Sequence, residues 1–415
     1  MKTADYCPRA TEAPAYSLGE LPPAEKKDFE QHLAACPACA RAAASSRLVI
    51  ARLREDPDAE GSPTLADRIA QRIEAGDTRP ARRRSAWTVP ARVAALLLAT
   101  LGLGAFLARD ERPEDAPDLA AARRDALAWL CRTQGPNGGW SAGEGAIREK
   151  YGIGVSALAL LALMQDPVDS RREPGATVIR RGVDYLVRAQ NEKGLFGAVF
   201  SGATYNQGLA TLALLEACAL ESNAAWRASA EKAVAYLVSI QDRTGGWDYL
   251  RAAPGSANTS ASVWPLLALL RADEQGFPDL RPAIERGMAW MKTTINAEGR
   301  MGYRRAGHAP YGSETLTAAG AACLVRRGNP ADEPLVKTML NALRVGPEQT
   351  QMDFYRAFFT TEVLSAARQS LREQLAALQY RTGPNSGSWE PTDRWGRTGG
   401  PVYATALATL CMARE

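Results

Sequence analysis

Two histidines occur in the 415 residues of this chain, and one of them, His32, stands four positions before Cys36 and seven before Cys39. Two cysteines separated by two residues can turn both sulfurs toward one ion, and a histidine one helical turn earlier adds an imidazole nitrogen. That set of soft and borderline donors suits tetrahedral zinc. A closed structural site needs a fourth ligand. The only other Cys or His in the first hundred residues is Cys7, 25 positions before His32, which makes Cys7 the expected fourth ligand.

The segment from Tyr6 to Leu53 resembles the zinc-binding anti-sigma factor domains, small helical modules with an H-x3-C-x2-C pattern after an upstream Cys or His. The shared stretch includes Ala15-Tyr16-Ser17-Leu18-Gly19-Glu20-Leu21, and Pro22-Pro23-Ala24-Glu25 opening a helix that carries Phe29 and Leu33. Proline in a first helical turn with an acid soon after it favours initiation. The resemblance implies a cytoplasmic zinc module, residues 1–53, that grips an alternative sigma factor through residues 1–84. Residues 54–86, punctuated by Pro57, Gly61, Pro63, Gly76 and Pro80, read as a linker with one short amphipathic helix near Leu65–Ile73.

Trp87 to Ala108 reads as a transmembrane helix, the alternative being a buried soluble one. Its uncharged core from Val93 is short for a bilayer, but Arg92 can snorkel and Trp87 suits the interface. Arg79, Arg82, Arg83 and Arg84 precede it, and Asp110, Glu111, Glu114, Asp115 and Asp118 follow it. That asymmetry places the N-terminus in the cytoplasm and everything beyond Arg109 outside the cytoplasmic membrane of a bacterium. A cleaved leader is not expected, because a module with its own fold precedes the apolar stretch. A net charge of +4, with 46% hydrophobic and 23% charged residues, gives no argument for direct nucleic-acid binding.

After a short linker, 109–117, the rest of the chain repeats at a period of roughly 50 residues. Each unit opens with an amphipathic helix, as in Ala126-Leu-Ala-Trp129-Leu, Gly182-Val-Asp-Tyr185-Leu, Ala233-Val-Ala-Tyr236-Leu and Gly287-Met-Ala-Trp290-Met. A turn follows in which Gln, Gly and an aromatic recur: Gln134-x3-Gly138-x-Trp140, Gln190-x3-Gly194-x-Phe196 and Gln241-x3-Gly245-x-Trp247. A degenerate copy covers Ile295–Tyr303, and a stretched one runs from Gln379 through Gly383 to Trp389. A second helix, apolar almost all round, closes each unit and must be buried. The expected fold is all-α: six helical hairpins, the fifth without its glycine-rich turn, closing an α/α toroid over residues 118–415.

The motif and the paired helices resemble the squalene-hopene cyclase and protein prenyltransferase superfamily. The catalytic sets of that superfamily do not transfer. The cyclases protonate substrate from a D-x-D-D segment, and the corresponding Asn258-Thr-Ser-Ala-Ser262 has no acid. Prenyltransferases hold zinc with Asp, Cys and His, and the repeats contain one histidine, His308, with no cysteine near it in sequence.

The turns should deliver the first residues of the inner helices to one end of the ring. Tyr151, Tyr205, Asn258, Tyr311, Tyr355 and Tyr403 are therefore expected at a pocket rim, either gripping a lipid, peptide or glycan fragment or simply capping the helices. Asp353 or Glu314 beside His308 are the candidate acid–base groups, and no catalytic set is assigned. Cys131, Cys218, Cys323 and Cys411 are expected as free buried thiols. The reading is a single-pass regulator whose outer toroid senses or docks a ligand or protein. The alternatives are a membrane-tethered terpene cyclase or prenyl-transferring enzyme, and a non-catalytic scaffold.

Overall fold

The computed structural model describes Tyr16, 23–37, 39–40 and 43–44 near the N-terminus. From 118 to 412 it describes all but 144–145, 167, 201, 250–254, 310–312, 329–332 and 345–350. The chain divides into two units, Met1–Asp110 and Glu111–Glu415. Cys7, Tyr311, both linkers and the 87–108 segment lie outside the described residues. Among the described residues no helix is long and apolar enough to cross a membrane.

In the first unit, α1 (Pro23–Ala35) begins on its proline, where a missing N–H costs nothing. Its helical hydrogen bonding continues past its last residue, with Cys36 N–H on the His32 carbonyl and Ala40 N–H on the Cys36 carbonyl, both at 3.0 Å. One core forms around fully buried Phe29, with Cys39 and Ala43 beneath and Tyr16, Leu33 and Cys36 packed against it. The Tyr16 ring meets Phe29 edge-on at 5.3 Å, and the His32 imidazole lies along Phe29 at 6.2 Å.

The second unit alternates outer and inner helices: α2 (Leu119–Thr133), α3 (Ala146–Met164), α4 (Gly175–Ala189), α5 (Ala203–Leu220), α6 (Ala224–Ser239) and α7 (Thr259–Glu274) form its first half. The second half is α8 (Arg281–Thr293), α9 (Glu314–Arg326), α10 (Pro334–Arg344), α11 (Phe354–Val363), α12 (Ser365–Leu378) and α13 (Gly396–Cys411). Strands are absent among the described residues, which hold only the isolated bridges Gln190–Phe196 and Ile295–Met301. Helix α4 buries a single stripe, Val178, Ile179, Gly182, Val183 and Leu186, whereas α5 is buried on nearly every face. The odd-numbered helices α3 to α13 pack in succession and α13 packs back on α3, so the inner ring is closed.

The repeated turn explains how one hairpin registers on the next. Gln134 donates from Nε2 to the carbonyl of Gly138, closing its own turn, and to that of Val178 on the next outer helix, both at 2.8 Å. Gln190 reaches Gly194 and Ser229 in the same way, and Gln241 reaches Gly245 and Ala283. Gln379 reaches Gly387 and Ala122, fastening the last hairpin to the first. Trp140, Trp247 and Trp389 each donate their indole N–H to the preceding outer helix, at Leu130, Leu237 and Leu375. Their backbone N–H groups are taken by Ser156, Ser262 and Thr405 inside the inner helices, which accounts for those buried hydroxyls.

Gly138 has φ +92°, and a Cβ there would stand 2.4 Å from the Arg181 carbonyl oxygen of α4. In the stretched turn the corresponding residue is Gly387, not Gly383: Gly387 has φ +92° and would place a Cβ 2.3 Å from the Asp125 carbonyl, while a Cβ on Gly383 meets nothing. The extra residues bulge out ahead of the glycine that touches the neighbouring helix. Cys131, Cys218, Cys323 and Cys411 are free. Burial pushes the Cys411 thiol up to about 12.

Candidate functional site

Two separate constellations are positioned by these elements. In the first unit the ligand atoms of His32, Cys36 and Cys39 lie within 4.8 Å of one another, close enough for one ion. The helical hydrogen bond from Cys36 N–H to the His32 carbonyl sets those two residues one turn apart, and Cys39 lies beside them in the Phe29 core. One imidazole and two thiols are a donor set that fits zinc. Such an ion would hold the segment in place of the core that so few apolar residues cannot build. These three sequence-chosen residues are brought together.

In the second unit the N-terminal ends of the inner helices surround a cavity of roughly 200 Å³. Its wall carries Tyr151, Tyr205, Tyr249, Tyr303, Tyr355 and Tyr403, with Trp264 and Trp395, above an aliphatic floor of Val155, Leu158 and Leu209. Asp353 and Arg394 are its charged lining residues. The phenols are held in order by one another and by neutral groups. Tyr205 Oη and Ser260 Oγ are 2.5 Å apart, Tyr303 donates to Tyr249 at 2.5 Å, and the Tyr205 and Tyr249 rings lie 5.8 Å apart. The Tyr355 ring stands edge-on to Trp264 at 6.0 Å, and its buried hydroxyl finds no acceptor among the described residues.

Asp353 caps α11: its Oδ1 accepts the Arg356 N–H at 2.8 Å and its Oδ2 accepts the Thr315 hydroxyl at 3.1 Å. Asp393 accepts the Tyr403 hydroxyl and the Phe354 N–H, both at 3.1 Å, and the Trp395 N–H at 2.9 Å. Burial, then the neighbouring Asp353 charge, push the Asp393 carboxyl above the usual range. Burial likewise raises the phenols of Tyr205, Tyr303, Tyr355 and Tyr403, so they stay protonated at any physiological pH.

Of the residues expected at the rim, Tyr151, Tyr205, Tyr355, Tyr403 and Asp353 line the cavity. Asn258 does not. It is fully buried, capping α7 through Ala261 N–H at 2.9 Å and donating to Asp248 at 2.9 Å, so its polarity serves the helix terminus. Glu314 is paired with Arg300 at 3.0 Å beside the α9 start, and His308 sits in the preceding loop against Tyr303, at a ring separation of 6.0 Å. Neither is among the residues that line the cavity. Sequence reasoning missed Tyr249, Tyr303, Trp395 and Asp393. Tyr249 and Tyr303 each stand two places after the motif's apolar residue, Trp247 and Met301, a register that points into the ring and could have flagged them.

Residues 109–308 match the squalene-hopene cyclase C-terminal domain. This cyclase-like unit is 26% identical over 208 residues to a squalene–hopene cyclase of Zymomonas mobilis, an alignment covering 44% of this chain and 30% of that protein. It is 32% identical over 195 residues to a drimenyl diphosphate synthase of Streptomyces showdoensis, covering 46% of this chain and 33% of that protein. The chain thus spans about a third of the length of the curated relatives it matches. Cellobiose 2-epimerase from Spirochaeta thermophila shares the fold with a TM-score of 0.55 at 14% identity, over 74% of this chain and 98% of its own. Residues 13–40 match the family described as "Putative zinc-finger", which contains the His32, Cys36 and Cys39 cluster.

Proposed function

We propose that the chain is a bacterial regulator in which a zinc-held module grips an alternative sigma factor and the cyclase-like toroid binds a small apolar ligand as the input. The observation that carries this reading is the convergence of His32, Cys36 and Cys39 on one point within a segment that matches a zinc-finger family. Cys7 is the proposed fourth ligand, residues 1–84 the sigma-binding region, and residues 87–108 a single membrane span with the zinc module in the cytoplasm and the toroid outside. The cavity supports the ligand half of the reading: it is concave, mostly apolar and bears a few oriented polar groups.

A second reading, a terpene-cyclase-like enzyme, is favoured by one observation: Asp353 lines the cavity, and beside it burial and the Asp353 charge push the Asp393 carboxyl above its usual range. Both acids, however, are engaged in holding α11 and Tyr403, and the motif's own acidic positions hold Asn258, Ser260 and Ala261.

The test is co-purification. The full chain, tagged and recovered from its host in mild detergent, should bring down one sigma factor, and the Cys36→Ala, Cys39→Ala variant recovered at the same level should bring down none. Equal recovery of the sigma factor by both, or its absence from the zinc-loaded wild type, contradicts the proposal.

A further inference from the structure

We infer that a second pocket, outside the central cavity, binds a zwitterion with an apolar body, of the class of an apolar amino acid or short peptide, with its ammonium group against Asp248 and its carboxylate against Lys193. This site is separate from the ligand site proposed above and does not depend on it.

A departure in the repeat makes the pocket. In the first and third hairpins a second glycine follows the one at positive φ, and the aromatic side chain of the next outer helix lies against it. A Cβ on Gly139 would stand 2.7 Å from the Tyr185 ring of α4, and one on Gly246 would stand 2.7 Å from the Trp290 ring of α8. The second hairpin has Leu195 at that position. Tyr236 of α6 keeps its place along the helix, since a Cβ on Gly194 would stand 3.2 Å from its own, as one on Gly138 would stand 3.4 Å from that of Tyr185. Its ring, however, has no bare backbone to lie on. Between this turn and α6 the chain leaves a cavity of about 460 Å³, lined by Leu195, Tyr236 and Ile240, which shares only Tyr249 with the wall of the central one. Val199 borders it and is 70% exposed, an apolar side chain left without cover.

Two opposite charges border that apolar surface. Lys193 and Asp248 both line the pocket, and among the described residues neither forms an ion pair, with the other or with a third group. Asp248 is nevertheless fixed in place. Its Oδ1 accepts the Asn258 amide at 2.9 Å and the Tyr249 N–H at 2.7 Å, which leaves Oδ2 to a ligand. The other polar lining groups are committed to the fold: Gln207 to the Phe196 N–H and the Gly194 carbonyl, the Thr204 hydroxyl to the Asp248 carbonyl, and Asn191 Oδ1 to the Lys193 and Leu195 N–H groups. Recognition therefore falls to the two charges. A ligand with one charge would match one of them and leave the other facing it unanswered, whereas a zwitterion answers both and lays its side chains on the apolar wall. The first turn of α5 borders the pocket at Ala203 and Thr204, carries no acid and has no side-chain cap, so its dipole adds to Lys193 in holding the carboxylate.

The experiment compares three probes with one apolar body on the purified full chain by isothermal titration: leucyl-leucine, N-acetyl-leucyl-leucine, which lacks the ammonium group, and leucyl-leucinamide, which lacks the carboxylate. Leucyl-leucine should bind about tenfold more tightly than either of the others, the worth of one charge-assisted hydrogen bond. Asp248→Asn should abolish the preference over the acetylated probe, and Lys193→Gln the preference over the amide. Leu195→Gly, which restores the bare backbone of the neighbouring hairpins, should weaken leucyl-leucine by about tenfold as the Tyr236 ring closes on the turn. Equal or tighter binding of either single-charge probe overturns the inference, as does binding of none of the three. A wild-type preference that survives unchanged in both Lys193→Gln and Leu195→Gly overturns the assignment to this pocket. Lys193 is an exposed side chain, so its variant decides even where Asp248→Asn fails to fold.

Discussion

At the scale of single residues, the metal cluster is the sharpest expectation. Replacing His32, Cys36 or Cys39 by alanine should reduce bound zinc from about one per chain to none, with loss of helical signal from the N-terminal unit. The toroid's melting transition should be unmoved, because none of these residues belongs to its core. Elemental analysis with calorimetry of each full-length variant checks this, and retained zinc in any of them removes that residue from the ligand set. Asp393 gives a pH prediction. Its folded carboxyl is raised above its usual value by burial and by Asp353, so between the unfolded and folded values the native state holds a proton that the unfolded chain has released. Stability from this group is present below that window and falls as pH rises through it. The wild-type melting temperature should therefore decline across the mildly acidic range more than that of Asp393→Asn, and parallel curves would contradict the assignment. The clustering of Cys36 with His32 and Cys39 was legible because residue type and spacing alone restrict it. Asp393 was not, because its role depends on Asp353 and Tyr403 arriving from elsewhere in the chain.

At the scale of elements, the recurring Gln-Gly-aromatic turn made the hairpins readable before any coordinates. The period told which helix was inner, since only a buried helix tolerates apolar residues on every face. What the spacing did not reveal is that the turn binds forward. Gln134, Gln190 and Gln241 each tie their own turn and the next outer helix together, a contact some 40 residues ahead that no local pattern encodes. The stretched last turn misled for the same reason, since choosing between Gly383 and Gly387 requires knowing where Asp125 lies. The two glycines separate experimentally. Gly387→Ala must adopt φ +92° and displace a backbone carbonyl, at a cost of about 3 kcal/mol or more. Gly383→Ala meets open space and should cost about 1 kcal/mol, from its φ of +76° alone. Urea unfolding of the two variants measures the difference, and equal costs would refute the docking role of Gly387.

At the scale of the whole molecule, one chain carries a cluster with the geometry of metal ligands and a closed ring of hairpins around an aromatic cavity. The ring was legible because repetition multiplies a weak signal, and its cavity less so, because a wall drawn from many hairpins has no sequence signature beyond a tyrosine at each helix start. Even that signature placed Asn258 at the rim when it caps α7. The ring fold by itself does not choose a chemistry, since it is shared with a cellobiose 2-epimerase while part of the sequence resembles a squalene–hopene cyclase. The proposed role is regulatory, and genome-wide transcript levels in the native host test it most directly. Replacing the chromosomal copy with the Cys36→Ala, Cys39→Ala variant should raise, several-fold, one group of transcripts whose promoters share a single recognition sequence, the mark of a released sigma factor. An unchanged transcript profile, with the variant protein present at wild-type level and its zinc gone, would contradict the account.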